Sequence, residues 1–377
     1  MLRGRPTPEE SLRANRITLV AAGLDLGGTQ RVLSLMANHW AATGRSVRLL
    51  TLSSAASDFY MLDARVDRVG LDLIDRSSNV WRAIIANATR VAALRRAMLA
   101  GRPDCVISFG DTSNCLALLA TLGTDVKVIV SERNDPRRLP IGTSWAMLRR
   151  RLYPRAHAVV VQTDRVVPWT RGFVPANRIR VIPNFVCAPR LHASLSSRPS
   201  AARQVVALGR LSDEKGFDVL VRAFARCAPD HPHWSLVIAG EGARRRDLEA
   251  QVAEAGVADR VRLPGRVRDT ESLLAASDLF VLSSRFEGFP NALLEAMSVG
   301  LPTIAFDCDS GPAAIIRTGL DGVLVPAGDI DGLAREMNRL MGDDSERIRL
   351  GREAEAVTQR FSLTRIMQLW ESLADGG

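Results

Sequence analysis

Residues 283–300 read SSRFEGFPNALLEAMSVG, and their order decides the fold of the half that contains them. A β-branched run ends near Ser283, a loop containing Gly288, Phe289 and Pro290 follows, and a helix is predicted from Asn291. Pro290 just before it and Gly300 just after are the residues that start and stop helices. The first amides of such a helix, those of Asn291, Ala292 and Leu293, have no partner within it. With the positive end of the helix dipole behind them they form a cradle for a diphosphate. Glu295 lies one turn further on, on the side of Asn291, where its carboxylate can accept hydrogen bonds from a vicinal diol such as a ribose. Glu287, in the preceding loop, can reach sugar hydroxyls beyond the phosphates.

A second stretch, VVALGRLSDEKG (205–216), has the complementary charge. A strand is predicted to end at Leu208. Gly209 frees the backbone, and Arg210 and Lys215 follow in the loop before the next helix. Two cations at the carboxyl end of a strand can neutralise a diphosphate in a doubly wound fold. As charge grows on a departing phosphate they can stabilise it.

Working outward, short apolar runs alternate with helical stretches along the whole chain. In the first half they are Ile17–Ala22, Val47–Leu52, Val66–Leu71, Cys105–Phe109, Val126–Ser131, Ala158–Gln162 and Ile179–Pro183. In the second they are Gln204–Leu208, Ser235–Ala239, Val261–Leu263, Leu279–Ser283, Pro302–Phe306 and Val323–Val325. Runs apolar at nearly every position are strands covered on both faces, and their alternation with helices implies parallel βαβ units. The series occurs twice, with a Pro-, Ser- and Ala-rich linker at Ala188–Arg203. The expected architecture is α/β, two Rossmann-like domains around a cleft, at residues 1–190 and 191–355. A final helix within residues 356–377 is expected to pack back across the hinge. A chain of 377 residues suffices for two such cores.

Arg210, Lys215 and the pair Glu287 and Glu295 together resemble the signature of glycosyltransferase family 4. IAGEG (238–242), LPGR (263–266), ASDLFVLS (276–283) and DGVLVPAG (321–328) fall in the family's order, so the resemblance covers nearly the whole chain. It implies the GT-B fold and a retaining, metal-independent transfer from a nucleotide-sugar donor, here expected to be a UDP-sugar, with no other cofactor. It further implies that Arg210 and Lys215 bind the donor diphosphate, Glu295 the ribose and Glu287 the donor sugar. Departure and attack are then on one face, with no protein nucleophile. GGTQRVL (27–33), SERNDPR (131–137) and DCDSGP (307–312) are most similar to the bacterial branch that builds exopolysaccharides and lipid-linked oligosaccharides, amylovoran-type transferases included. Two positions depart from the pattern. Glu132–Arg133 stands where many relatives carry a His, and Ala314 where many carry an acid. Asp307-Cys308-Asp309 is read as a loop and not as a metal-binding Asp-x-Asp, since Arg and Lys neutralise the phosphates.

The first half supplies the acceptor side in this reading. Gly27 and Gly28 form the turn that lets the backbone approach the sugar and phosphates, and Asp111, Glu132 and Arg133 lie where the acceptor hydroxyl is expected. Charge supports a different partner for each half. Residues 1–190 hold 28 Lys and Arg against 14 Asp and Glu, residues 191–377 hold 22 against 27, and the net charge is +9. In WAMLRRRLYPR (145–155) Trp145, Leu148 and Leu152 share a helix face flanked by Arg149, Arg150 and Arg151. With Arg137 and Arg138 upstream, this reads as an interfacial element on an anionic membrane. Arg90, Arg95, Arg96 and Arg102 form a second cluster suited to a polyprenyl diphosphate, the expected carrier of the glycan acceptor.

Other classes are disfavoured. Five cysteines with no close pair suit a reducing compartment rather than a disulfide or zinc framework. The N-terminus, MLRGRPTPEESLRANR, is too charged and Pro-broken for a signal peptide, and a cytoplasmic enzyme peripheral to the inner membrane face is expected. A nucleic-acid binder is suggested only by basicity, with aromatics at 5% and no interleaved motif. An NAD-type site lacks both the G-x-G-x-x-G fingerprint and an acid closing the second strand. A transferase or synthase of the same fold acting on a soluble acceptor remains the alternative.

Overall fold

A computed structural model describes residues 14–73, 80–193 and 203–376. The chain divides into two units, Met1–Pro183 with Ile366–Gly377, and Asn184–Arg365.

Unit 1 is built on β1 (Arg16–Ala21), β2 (Ser46–Thr51), β3 (Asp67–Gly70), β4 (Cys105–Phe109), β5 (Lys127–Ser131), β6 (Ala158–Val161) and β7 (Ile179–Val181). They form one sheet in the order β3-β2-β1-β4-β5-β6-β7, with every pairing parallel. Unit 2 contains β8 (Arg203–Leu208), β9 (Trp234–Ala239), β10 (Val261–Gly265), β11 (Leu279–Leu282), β12 (Thr303–Asp307) and β13 (Val323–Pro326). Its sheet runs β10-β9-β8-β11-β12-β13, again all parallel. Each apolar run read from the sequence becomes one of these strands, with ends within two residues.

The runs are apolar throughout because both faces of each sheet are covered. On β8, Val205 and Ala207 enter one core cluster while Val206 and Leu208 enter another on the opposite face. Successive side chains of a strand point to opposite sides, so a doubly covered strand has no polar face to show. Fully burying each such side chain contributes about 1.5–3 kcal/mol.

Three boundaries differ from expectation. The units divide after Pro183 rather than at 190. Of the expected linker, residues 194–202 lie outside the described residues, and Arg203 is not linker but the first residue of β8. Its guanidinium is buried between Asp278 and Asp344, at 2.9 Å from each, and those carboxylates make a cation tolerable at the base of a sheet. The last helix spans Leu363–Asp375, and from Ile366 on it groups with unit 1. There Trp40 Nε1 donates to Glu371 at 3.2 Å, Arg45 grips Asp375 at 3.0 and 3.1 Å, and Trp370 packs on Phe109.

Both sheets share one feature that locates sites. Strand order reverses between β1 and β4 in unit 1 and between β8 and β11 in unit 2. At such a reversal the loops leaving the carboxyl ends of adjacent strands diverge and leave room for a ligand.

Candidate active site

At the unit 2 reversal, the loop after β8 carries Lys215 and the loop after β11 carries Glu287. They meet: Lys215 Nζ lies 2.7 Å from Glu287 Oε1, with the side chains 22% and 10% exposed. Ser284 Oγ donates to the same carboxylate oxygen at 2.6 Å, so Glu287 is fixed by two donors from two directions. A charge-assisted bond between half-sequestered groups is short and strongly oriented.

The backbone makes this approach possible. Gly216 follows Lys215 in the left-handed region at φ 61°, and a Cβ there would lie 2.2 Å from the carbonyl oxygen of Ser283. Only glycine allows the two loops to come so close. Ser283 Oγ then bonds the Lys215 carbonyl at 2.9 Å. At Gly209 a Cβ would sit 3.3 Å from Lys215 Cδ, so the missing side chain leaves space for the lysine stem.

Behind Glu287 the loop is held by neighbours that the sequence reading left without a role. Ser310 Oγ donates to the carbonyl oxygens of Glu287 and Gly288. Asn184 is buried at the start of unit 2, and its Nδ2 donates to Asn291 Oδ1 at 2.6 Å and to the Phe289 carbonyl at 3.3 Å. Phe289 stacks edge-on against Phe361, and Pro290 is buried beside it. The only advance signal for Asn184 was a lone amide following Pro183 in an otherwise apolar run. Asp307-Cys308-Asp309 leads into this clamp, and burial pushes the Cys308 thiol up to about 12.

The helix opens at Asn291 and runs to Ser298, with Pro290 at its N-cap and no side-chain cap bond. It buries Leu293, Leu294, Ala296 and Met297 against the unit 2 core. One expectation needs correcting. The Leu293 amide already donates to the Pro290 carbonyl at 3.2 Å, in a tight first turn, so Leu293 drops out of the expected cradle. Glu295 stands one turn along, half-buried. Arg210 is not gathered in with Lys215: its side chain is 68% exposed, with Glu214 3.9 Å away.

Unit 1 treats its candidates differently. Gly27 caps the helix Gly28–Ala42, and the Tyr60 hydroxyl donates to its carbonyl at 3.0 Å. Asp111 opens the helix Asp111–Ala120, half-buried, and its carboxylate accepts from the Thr112 amide at 2.6 Å. Glu132 does not face solvent. It is 4% exposed, takes the Tyr153 hydroxyl proton bond at 2.5 Å and lies 3.4 Å from Arg149 Nη1. Tyr153 in turn accepts from Asn114 Nδ2 at 3.0 Å. Burial pushes the Glu132 carboxyl up, against the opposing Arg149 charge and the Tyr153 bond, and burial also drives the Tyr153 hydroxyl far up. Arg133 is buried over the Phe109 ring, 4.3 Å from its centroid, with Ser131 Oγ 3.4 Å from Nη1, and burial lowers it to about 9.

The membrane face is also revised. Leu152 is in the unit 1 core, with Trp145 and Leu148 packed against it, so the anchors read for a bilayer are used inside the domain. Arg149 is buried on the Trp169 ring at 4.6 Å. Arg95 caps a helix end through the carbonyls of Ala120 and Leu122, at 2.8 and 2.9 Å. Arg90 bonds the Leu73 carbonyl, and Arg137 grips Asp135. Arg96, Arg150 and Arg151 are exposed. Among the described residues no helix is long and apolar enough to cross a membrane.

Comparison with known proteins covers both units. Residues 27–184 match the model described as a glycosyl transferase 4-like domain, and residues 196–357 match glycosyl transferases group 1. An exopolysaccharide phosphotransferase of Streptomyces coelicolor is 31% identical across 94% of this chain, which spans 40% of that protein's length. A Campylobacter jejuni N-acetylgalactosaminyltransferase, named for an undecaprenol-diphosphate-linked GalNAc acceptor, is 27% identical over 95% of this chain and 98% of its own. The solved structure of Anabaena HepE with UDP-glucose superposes with a TM-score of 0.77 at 20% identity, covering 95% of this chain and 99% of that one. With two all-parallel Rossmann-like units that match these models and folds in sequence order, the chain belongs to glycosyltransferase family 4 and has the GT-B fold.

Proposed function

We propose that the protein is a retaining, metal-independent glycosyltransferase of surface or exopolysaccharide synthesis, moving a sugar from a UDP-sugar to a lipid-linked glycan acceptor. The observation that carries this is the Lys215–Glu287 contact of 2.7 Å beside a helix start that has no side-chain cap. It puts a cation for phosphate and a carboxylate for sugar hydroxyls side by side at the strand reversal, where a nucleotide sugar needs both. The names of the Streptomyces and Campylobacter relatives support the pathway and the carrier, and the HepE complex supports the uridine donor.

In this reading the amides of Asn291 and Ala292 and the Lys215 ammonium hold the diphosphate. Exposed Arg210 folds onto it, and Glu295 takes the ribose diol. The bond from the anomeric carbon to the β-phosphate oxygen breaks, the acceptor oxygen bonds to that carbon on the same face, and its proton passes to the departing phosphate. Lys215 and the helix start stabilise the charge that grows there. The acceptor side keeps Gly27, Gly28 and Asp111. Glu132 and Arg133 act there by shaping the end of β5 rather than by touching the acceptor. Peripheral attachment to an anionic inner membrane face falls to Arg96, Arg150 and Arg151.

Thermal unfolding against a panel of nucleotide sugars tests the reading, because a ligand that binds only the folded state raises its stability by mass action. One UDP-sugar is expected to raise the midpoint selectively, and Glu295→Ala to lose that rise while unfolding at its normal temperature without ligand. No rise with any nucleotide sugar would sink the proposal.

A further inference from the structure

The loops carrying Lys215 and Glu287 are joined by a third residue to which neither the sequence pattern nor the reaction gives a role. Arg285 sits two residues before Glu287. Its amide donates to the Glu214 carbonyl at 2.8 Å. Its Nη1 donates to the Asp213 carbonyl at 2.6 Å, and the guanidinium forks onto Asp218 at 2.9 and 2.7 Å. One side chain and its own amide thus hold residues 213, 214 and 218, which bracket Lys215 on both sides. The Asp218 end is itself anchored, since Gln251 Nε2 donates to its carbonyl at 2.7 Å.

We propose that Arg285 is a positioning residue of the donor site: its fork on Asp218 and its bond to Asp213 set the Lys215 ammonium against Glu287. The inference rests on the donor reading above. Three features favour it over a general stabilising role. The side chains are 43% and 31% exposed, a setting in which an ion pair adds little to global stability. The bonds run from one substrate-binding loop to the other. And the geometry needs a planar fork, which a lysine in the same place cannot supply. Arg222 is a built-in control: it also contacts Asp218, at 3.1 Å, and its bonds stay within its own helix.

The test is calorimetric titration of the full chain with UDP, alongside thermal unfolding, for wild type, R285K, R285A, D218N, R222A, K215A and the R285K/D218N pair. We expect about tenfold weaker UDP binding in R285K, R285A and D218N, with unfolding midpoints unchanged. The double variant should be no weaker than either single one, because both remove the same bond. R222A should bind as wild type does. The inference is overturned if R285K and R285A bind UDP as wild type does while K215A does not, a result that leaves the donor reading standing. It is also overturned if R222A costs as much as R285A, or if the R285K and D218N effects add. Should wild type itself fail to bind UDP, both readings fall.

Discussion

The two units repeat one topology and handle charge at the carboxyl ends of their strands in opposite ways. In each, strand order reverses beside the first strand; the unit 2 charges lie at that reversal, and the buried unit 1 charge lies one strand further out, after β5. In unit 2 the charges are turned toward one another at the loop ends, Lys215 against Glu287, still partly open to solvent. In unit 1 the charge after β5 is folded inward, Glu132 against Tyr153 and Arg149, with almost no exposure. A parallel sheet therefore fixes where a site can be built, and burial decides whether a charge placed there meets a ligand or its own domain. A pair that solvent still reaches can exchange partners with a phosphate at small cost. A buried one cannot be parted without stranding a charge in a poor solvent.

Breaking each pair should accordingly give opposite phenotypes. Lys215→Ala is expected to lower kcat/KM by about 100-fold or more, the scale of losing one charge-stabilising donor in a preorganised site. Its denaturant midpoint should stay near that of wild type. Steady-state kinetics beside urea unfolding would read both, and a variant that unfolds easily but turns over normally would reverse the comparison.

Glu132→Ala is expected to do the converse, costing about 3 kcal/mol of stability because Arg149 is left buried beside a missing carboxylate. The pH dependence sharpens this. Burial raises the Glu132 carboxyl in the folded state, so the folded protein holds that proton more tightly than the unfolded chain does. Its contribution is therefore most favourable at low pH and is lost as pH rises, from the ordinary carboxylate range up through the raised folded value. Glu132→Gln cannot titrate, so its stability relative to wild type should climb across that window and then level off. Urea unfolding at stepped pH would show it. A flat difference would mean that Glu132 is not held in a desolvated site.

What was legible beforehand follows the same division. The strands could be read because doubly covered strands leave apolar runs that nothing else in a chain of this composition imitates. Lys215 and Glu287 could be read because both stand in loops that follow strand ends, with Gly209 freeing the backbone of the first; the close approach at Gly216 became visible only in the structure. Charges that turn inward were not legible, because a sequence displays a charge without its neighbours. Arg149 is instructive. Consecutive residues on a helix point about 100° apart, so Arg149, Arg150 and Arg151 cannot share a side. Arg149 lies four residues after Trp145 and so falls on the apolar face, beneath which Glu132 waits. Arg95 likewise reads as a surface cation until the carbonyls it caps are seen, and Asn184 is distant in sequence from the loop it holds.

The smallest expected effect concerns the cations left outside. With Trp145, Leu148 and Leu152 committed to the core, the proposed membrane attachment rests on electrostatics through Arg96, Arg150 and Arg151, each expected to contribute about 1 kcal/mol near an anionic leaflet. Replacing Arg150 and Arg151 together by Ala should then weaken co-sedimentation with anionic vesicles by about 10- to 30-fold at low salt. The loss should shrink as salt rises, since exposed charges are screened over about 10 Å at 0.1 M. Unfolding should be unaltered, in contrast to Arg149→Ala, which empties the space over Trp169 and leaves Glu132 without its cation. If the double variant sediments as wild type does, the exposed arginines are solvated surface and the acceptor reaches unit 1 without a membrane-bound enzyme.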